Sequence, residues 1–303
     1  MIAFIVGLLA ATLRVATPLI FGTLGELFCE RAGILNLGIE GTMFIGSFVG
    51  FAVAAGTGSL WLGLLAAIVA GIVAGLLMGL LTVTMGVNQH VSGLGLTLLL
   101  TGLSLFGFRL VFGTNSVQPN ITPFPQIKLL GDLPILGPIF NQYLLTYLAI
   151  LLVPLVWWLL YRTSFGLKIR SAGENPEATD AAGVNVFGVR YAALVIGGGL
   201  MAAGGAFLSL AQLGSFIFGI VNGRGWVCIA LIIFANWIPL RVLWGALLFG
   251  GVSALQLRLQ STGAKLPYEL FLALPYLVTM AALALAGRNA SAPAAMLKPY
   301  RRE

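Results

Sequence analysis

A chain of 303 residues with 59% hydrophobic and 8% charged side chains is too apolar for a soluble domain, in which about a quarter of the residues are charged. Its mean hydropathy of +1.02 describes a polytopic membrane protein. The net charge of +7 does not point to nucleic acid, because the basic residues are scattered at the ends of apolar runs and do not cluster among aromatics on a soluble face.

A spanning helix needs about 20 apolar residues, and lipid leaves no water to satisfy loose backbone groups, so the expected fold is an all-α helical bundle. The apolar runs fill about nine spans, with eight to ten accommodated. They are placed near 2–26, 36–56, 60–84, 91–112, 142–161, 188–212, 217–236, 242–259 and 266–286. The first basic residue is Arg14, so the basic region that opens a cleavable signal is missing and the first span is expected to stay in the product. With residues 162–187 inside, the inner ends collect Arg31, Arg162, Lys168, Arg170, Arg190, Arg241, Arg288, Lys298, Arg301 and Arg302, against Arg109, Lys128, Arg258 and Lys265 outside. That bias obeys the positive-inside rule, placing the N-terminus outside and the tail, 288–303, in the cytoplasm. Residues 1–287 form the transmembrane domain.

In chain order, the first irregularity is "ERAGILNLGIEGTMFIGSF" at 30–48, where Asn36, Gly38, Glu40 and Gly41 interrupt the apolar run; the helix is expected to start late or to break. Such breaks are tolerated at membrane depth only where they line a cavity or are buried in protein. Gly46 with Gly50, and Gly71 with Gly75 and Gly79, recur every four residues, the spacing that lets helix backbones approach closely in lipid. "GVNQHVSGLGLTLL" at 86–99 places Asn88, Gln89, His90 and Ser92 at a span entry, where they either gate a path or cap a helix. Residues 113–141 are rich in proline, which cannot continue a helix, and are read as an external cap. Asn120-Ile121-Thr122 there matches a glycosylation sequon, a three-residue pattern of low specificity.

The stretch "RSAGENPEATDAAGV" at 170–184 holds three of the nine acidic residues. Asn175 is placed as N-cap, Pro176 as the first helical residue, and Glu177 and Asp180 as opening-turn acids facing the positive end of the dipole. Gly183 stops the helix in a left-handed conformation. The expectation is a short helix of small residues at the inner membrane face. A second broken span follows at "IVNGRGWVCIALIIF", 220–234, through Asn222, Gly223, Arg224 and Gly225. Paired interruptions in two halves of a chain suggest a translocation site between them.

Catalysis finds little support. One histidine and no GxxxxGK[ST] loop exclude a zinc-binding histidine pair and nucleotide hydrolysis by this chain, and two cysteines, Cys29 and Cys228, make no disulfide framework. No catalytic residue, metal site or cofactor is expected. Arg14 and Arg224 fall inside spans, where they should face protein or a watery cavity or pair with a carbonyl or with Glu40. An ion-coupled carrier usually keeps carboxylates at mid-depth; only Glu40 qualifies, since Glu26 and Glu30 are read as lying near an interface and Glu269 starts a span.

The segments "GELFCERAGILNLGIEGTMFIGSF", "NQHVSGLGLTLL", "GLKIRSAGENPEATDAAGVNV", "GRGWVCIALIIFANWIPL" and "GALLFGGVSALQLRLQ" together resemble the shorter permease of the nucleoside and simple-sugar ABC importers, within the superfamily of ribose and branched-chain amino-acid permeases. The resemblance covers residues from about 13 to 286. It implies a subunit of an importer in the bacterial cytoplasmic membrane, with three partners: a second, longer permease, an ATPase with two nucleotide-binding domains that holds ATP and Mg, and a substrate-binding lipoprotein or periplasmic protein. It implies that Gly173, Glu174, Asn175, Pro176, Glu177, Ala178, Asp180, Ala181, Ala182 and Gly183 form a coupling helix seated on the ATPase. The substrate expected is a nucleoside, with a sugar or a riboflavin-like vitamin as alternatives, and an ion-coupled secondary carrier is the rival class. The residues expected to wall the path are Asn36, Glu40, Asn88, Gln89, Asn222 and Arg224.

Overall fold

The computed structural model describes residues 2–113, 119–128, 137–261, 273–275, 277–281, 284 and 291–301. Its elements are α1 (Ile2–Arg31), α2 (Ile39–Thr57), α3 (Leu60–Gly79), α4 (Gln89–Phe112), β1 (Gln126–Lys128), α5 (Gly137–Phe140), β2 (Asn141–Tyr143), α6 (Leu144–Arg162), α7 (Ser164–Glu174), α8 (Pro176–Ala181), α9 (Val186–Phe207), α10 (Arg224–Ala235) and α11 (Pro239–Ser261). Wider π-turns extend α3 through Leu80–Thr84 and α9 through Leu208–Leu213. Seven of these helices are long and apolar enough to cross a membrane. The fold is nearly all α, apart from the antiparallel pair β1–β2 in the segment read as an external cap.

One of the expected spans comes out differently. The run 217–236 does not form one spanning helix: its helix is α10, of 12 residues, about 18 Å at 1.5 Å per residue against an apolar core of about 30 Å. The backbone before it takes left-handed turns at Asn222 (φ 49°) and Gly223 (φ 79°). Most of the expected span 266–286 lies outside the described residues, as does much of 113–141.

The centre of the bundle is α9, which packs on α1, α2 and α3 and is 83% buried over its most apolar stretch. Glycine makes this closeness available. A Cβ on Gly71 would stand 2.1 Å from Gly198 O, and one on Gly205 would stand 1.8 Å from Met43 O. Helices at such distances gain dispersion where no hydrophobic effect drives them together. The ends are tied by polar contacts: Arg258 Nη1 donates to Phe4 O (2.7 Å), and Arg31 Nη2 donates to Trp237 O (2.8 Å). Thus α1 and α11 run antiparallel, with the start of α1 and the 163–185 segment at opposite ends of the bundle.

Candidate functional site

The break after α1 folds back into the protein. Gly33 turns at φ 86°, Asn36 N–H donates to Glu26 Oε1 (2.7 Å) and Thr97 Oγ1 donates to Leu37 O (2.9 Å). Thr97 is eight residues past the start of α4, about 12 Å into that helix. α2 therefore begins late and inside the bundle, and its first turn carries Glu40. That carboxylate meets the second break: Gly223 N–H donates to Oε1 (2.8 Å) and Gly225 N–H to Oε2 (2.7 Å). One side chain thus satisfies two orphan donors at the start of α10, where the dipole also favours negative charge. The two interruptions are one structure, joined by Glu40.

At this junction lies a polar cavity of about 240 Å³ whose lining includes Asn222, Arg224, Gln212, Ser253, Gln256 and Gln260. Arg224 Nη1 donates to Ile220 O (3.0 Å) and Val221 O (2.9 Å), which folds the guanidinium onto the turn before its own helix. Ser253, Gln256 and Gln260 sit at intervals of three and four on α11, hence on one face. Val15, near the middle of α1, and Phe249 supply apolar wall. Since α11 reaches the start of α1 through Arg258, the cavity occupies the half of the bundle away from the 163–185 segment.

Of the six residues expected along a path, Glu40, Asn222 and Arg224 come together here, while the other three lie elsewhere. Asn36 is buried, its Oδ1 accepting from Gly38 N–H at 3.0 Å. Gln89, also buried, accepts from Leu35 N–H (2.8 Å) and so holds the same re-entrant turn. Asn88 caps α4 through His90 N–H (2.9 Å) and Val91 N–H (3.3 Å). Arg14 reaches Gln142 Oε1 and Asn141 O at 3.3 Å each, tying α1 to β2. Glu26 and Glu30, in the last two turns of α1, are enclosed by protein at 0% and 1% exposure. Trp237 Nε1 donates to Glu30 Oε2 (2.5 Å), a contact with the turn between α10 and α11. Arg190, counted among the inner-face cations, is likewise buried, with its Nε on Ala32 O (3.2 Å).

At the other end, α6 leads through Thr163, whose hydroxyl caps α7 at Gly166 N–H (3.1 Å), into a helix lying against α6, α9 and the end of α1. Gly173 lets it approach: a Cβ there would stand 2.2 Å from Arg31 O. Asn175 Oδ1 accepts from Ala178 N–H (2.9 Å), Pro176 opens α8, and Gly183 turns left-handed at φ 82°. Thr179 is the buried anchor of α8, whereas Glu177, Ala178, Ala181 and Ala182 are exposed. The tail straps this unit. Ala295 N–H donates to Gly173 O (2.9 Å), Ala294 N–H to Glu174 Oε2 (3.2 Å) and Tyr300 OH to Asp180 Oδ2 (2.9 Å). Ser291 N–H reaches Asn236 Oδ1 (3.0 Å) beside the end of α10.

Comparison with known proteins agrees with this architecture. Residues 8–283 match the model of the branched-chain amino acid transport system permease component. A putative glucose ABC transporter permease of Haloferax volcanii is 43% identical, covering 99% of both chains. A guanosine ABC transporter permease of Bacillus subtilis is 35% identical over 96% of this chain and 95% of its own. A nucleoside ABC transporter permease of Lactococcus lactis is 34% identical over 95% and 94%. No solved structure matches. Seven apolar helices around a glycine-packed centre, two helix breaks joined by a carboxylate, and a family match across nearly the whole length lead to one assignment: the chain belongs to the branched-chain amino acid transport system permease family and is a permease subunit of an ABC transporter.

Proposed function

We propose that this subunit forms half of the membrane path of an ATP-driven nucleoside importer in the cytoplasmic membrane, with α8 as the helix through which a separate ATPase drives it. The observation that carries the reading is the build of 163–183: a capped six-residue helix, too short to persist alone, is held rigid by α7 and the tail while presenting glutamate and alanines outward. Small exposed side chains permit deep seating in a partner's groove. In this orientation the 163–185 end and the tail are cytoplasmic, the start of α1 is outside, and ATP and Mg sit on an ATPase with two nucleotide-binding domains.

The polar cavity, set toward the opposite end, would receive substrate from a lipoprotein or periplasmic binding protein. Nucleosides are favoured by two of the relatives, and a second guanosine permease of Bacillus subtilis also matches this chain, which supports a pair of unlike permeases. A glucose importer is the alternative, supported by the Haloferax relative. An ion-coupled carrier would have no use for an exposed, strapped α8.

The test is affinity purification from native membranes of the wild type and of Glu177→Arg with Ala181→Trp. A tandem ATPase and a second permease should accompany the wild type, and the ATPase should fall at least tenfold with the variant while the permease partner stays. Purification of the wild type alone, with transport in proteoliposomes lacking ATP, would refute the reading. Deleting residues 291–303 should leave the membrane level unchanged and reduce recovered ATPase several-fold; undiminished recovery would show that the tail does not set the position of α8.

A further inference from the structure

The cavity at the α2–α10 junction carries an inference about its ligand, and this rests on the nucleoside reading. We infer that the α11 face formed by Phe249, Ser253, Gln256 and Gln260, together with Gln212 and Asn222, is a binding site for the uncharged heterocyclic base of the transported molecule.

The first ground is the chemistry of the donor set. Gln212, Asn222, Gln256 and Gln260 are carboxamides and Ser253 is a hydroxyl, so each offers both a donor and an acceptor. A carboxamide presents these side by side in one plane, the arrangement that pairs bidentately with the edge of a purine. The second ground is charge. Apart from Arg224, no charged side chain lines the cavity among the described residues, and the Glu40 carboxylate accepts from the N–H groups on either side of it, Gly223 and Gly225. Arg224 is one cation among neutral dipoles, and its guanidinium is turned onto Ile220 O and Val221 O, so most of the lining suits a neutral base that exchanges water contacts for amide contacts.

The third ground is an unfilled valence. Gln260 Nε2 is buried and has no hydrogen-bond partner among the described residues, although buried donors are nearly always paired. An acceptor on a ligand would complete it. Gln256 is likewise buried, at 8% exposure. Phe249 places an aromatic ring on the same helix face, one to three turns away, and rings of this kind stack on bases whatever their identity. By contrast, the hollows of about 750 and 430 Å³ elsewhere on the bundle are lined almost wholly by aliphatic and aromatic residues such as Leu8, Trp244, Ile68 and Leu148 and offer no such polarity.

The fourth ground is rigidity. Asn222 projects from a left-handed backbone position, and the N–H groups of Gly223 and Gly225 are clamped by Glu40. The edge of the site is fixed in advance, so little ordering remains to be done on binding.

The experiment uses the assembled transporter isolated from native membranes. Cys29 and Cys228 are fully buried, so in Ser253→Cys the new thiol is the reactive one, and its labelling rate by a small maleimide is followed with guanosine, guanine, ribose or glucose at millimolar concentration. Guanosine and guanine should each slow labelling about tenfold, with ribose and glucose without effect. Protection by ribose or glucose but not guanine, or by none of the four, overturns the inference. Radiolabelled guanosine uptake by the wild type is measured alongside: uptake without protection leaves the nucleoside reading standing and removes this one, while absence of uptake together with glucose transport removes both. As a second variant, Gln256→Leu should lower guanosine uptake at least tenfold with an unchanged gel-filtration profile; uptake equal to wild type with that profile overturns the assignment.

Discussion

Gly205→Val should yield no folded permease. A Cβ at this position would stand 1.8 Å from Met43 O and 2.6 Å from Met43 C, both backbone atoms of α2, so no rotamer change relieves the clash. α2 and α9 would have to separate, and Gly46 records how little room exists: its own Cβ would fall 2.4 Å from Ala202 O. Separation forfeits the dispersion contacts on which helix association in lipid depends. It also withdraws Ser209 Oγ from Ser47 O, a 2.8 Å hydrogen bond. The expected loss exceeds about 4 kcal/mol, the range of severe core disruption. The readout is fluorescence-detected gel filtration of a detergent extract, where the monodisperse peak should vanish. Gly95→Ala is the control, since nothing lies within 4 Å of a Cβ there, and it should elute and melt as the wild type. A normal peak and melting temperature for Gly205→Val would mean that α2 and α9 are not packed as described.

Glu40→Ala should reduce uptake more than a hundredfold while the protein still reaches the membrane. The carboxylate accepts from two N–H groups at the start of α10 and offsets Arg224. Hydrogen bonds to a charged group each contribute about 1.5–3 kcal/mol, and a factor of ten corresponds to about 1.4 kcal/mol. Losing both bonds therefore suffices for the effect, through displacement of Asn222 and Arg224 at the cavity. Glu40→Gln keeps one accepting oxygen and should fall between, near tenfold. Initial rates of radiolabelled guanosine uptake, normalised to membrane protein, would decide. Wild-type rates for Glu40→Ala would reduce the residue to a packing role. Equal, complete losses for Ala and Gln would instead argue that the negative charge itself is required.

What the sequence disclosed was mostly local. The cap of α8 could be read from Asn175, Pro176 and Gly183, since capping depends on residues within one turn of each other. The late start of α2 was legible in Asn36, Gly38 and Glu40 for the same reason, and glycines four apart announced helix contacts without naming the partner helix. Long-range placement was not legible. Glu26 and Glu30 lie close to the end of an apolar run, which suggests an interface, yet the re-entrant turn and Trp237 cover them from 10 and 207 residues away. The stretch 214–223 is apolar enough to extend a span, but left-handed turns at Gly214, Gly219, Asn222 and Gly223 keep it from doing so. α7 carries no comparable signal, because its polar face dilutes the apolar one, although Ile169 and Ala172 are spaced to pack. Ser253, Gln256 and Gln260 form a polar stripe on one helix face, but polar residues inside an intact span do not reveal from sequence whether they face a cavity or a neighbouring helix.

The strapped tail bears on how this protein is handled at the bench. Ala295 is buried, and Lys298, Tyr300 and Arg301 border the same recess as Glu174 and Glu177, so this part of the tail lies beside the surface proposed for the ATPase. An affinity tag or fluorescent reporter fused at the C-terminus would therefore stand at that junction, and resin-bound bait would compete with the partner it is meant to retrieve. Fusion at the other end of the chain, on the opposite side of the bundle, leaves that surface open.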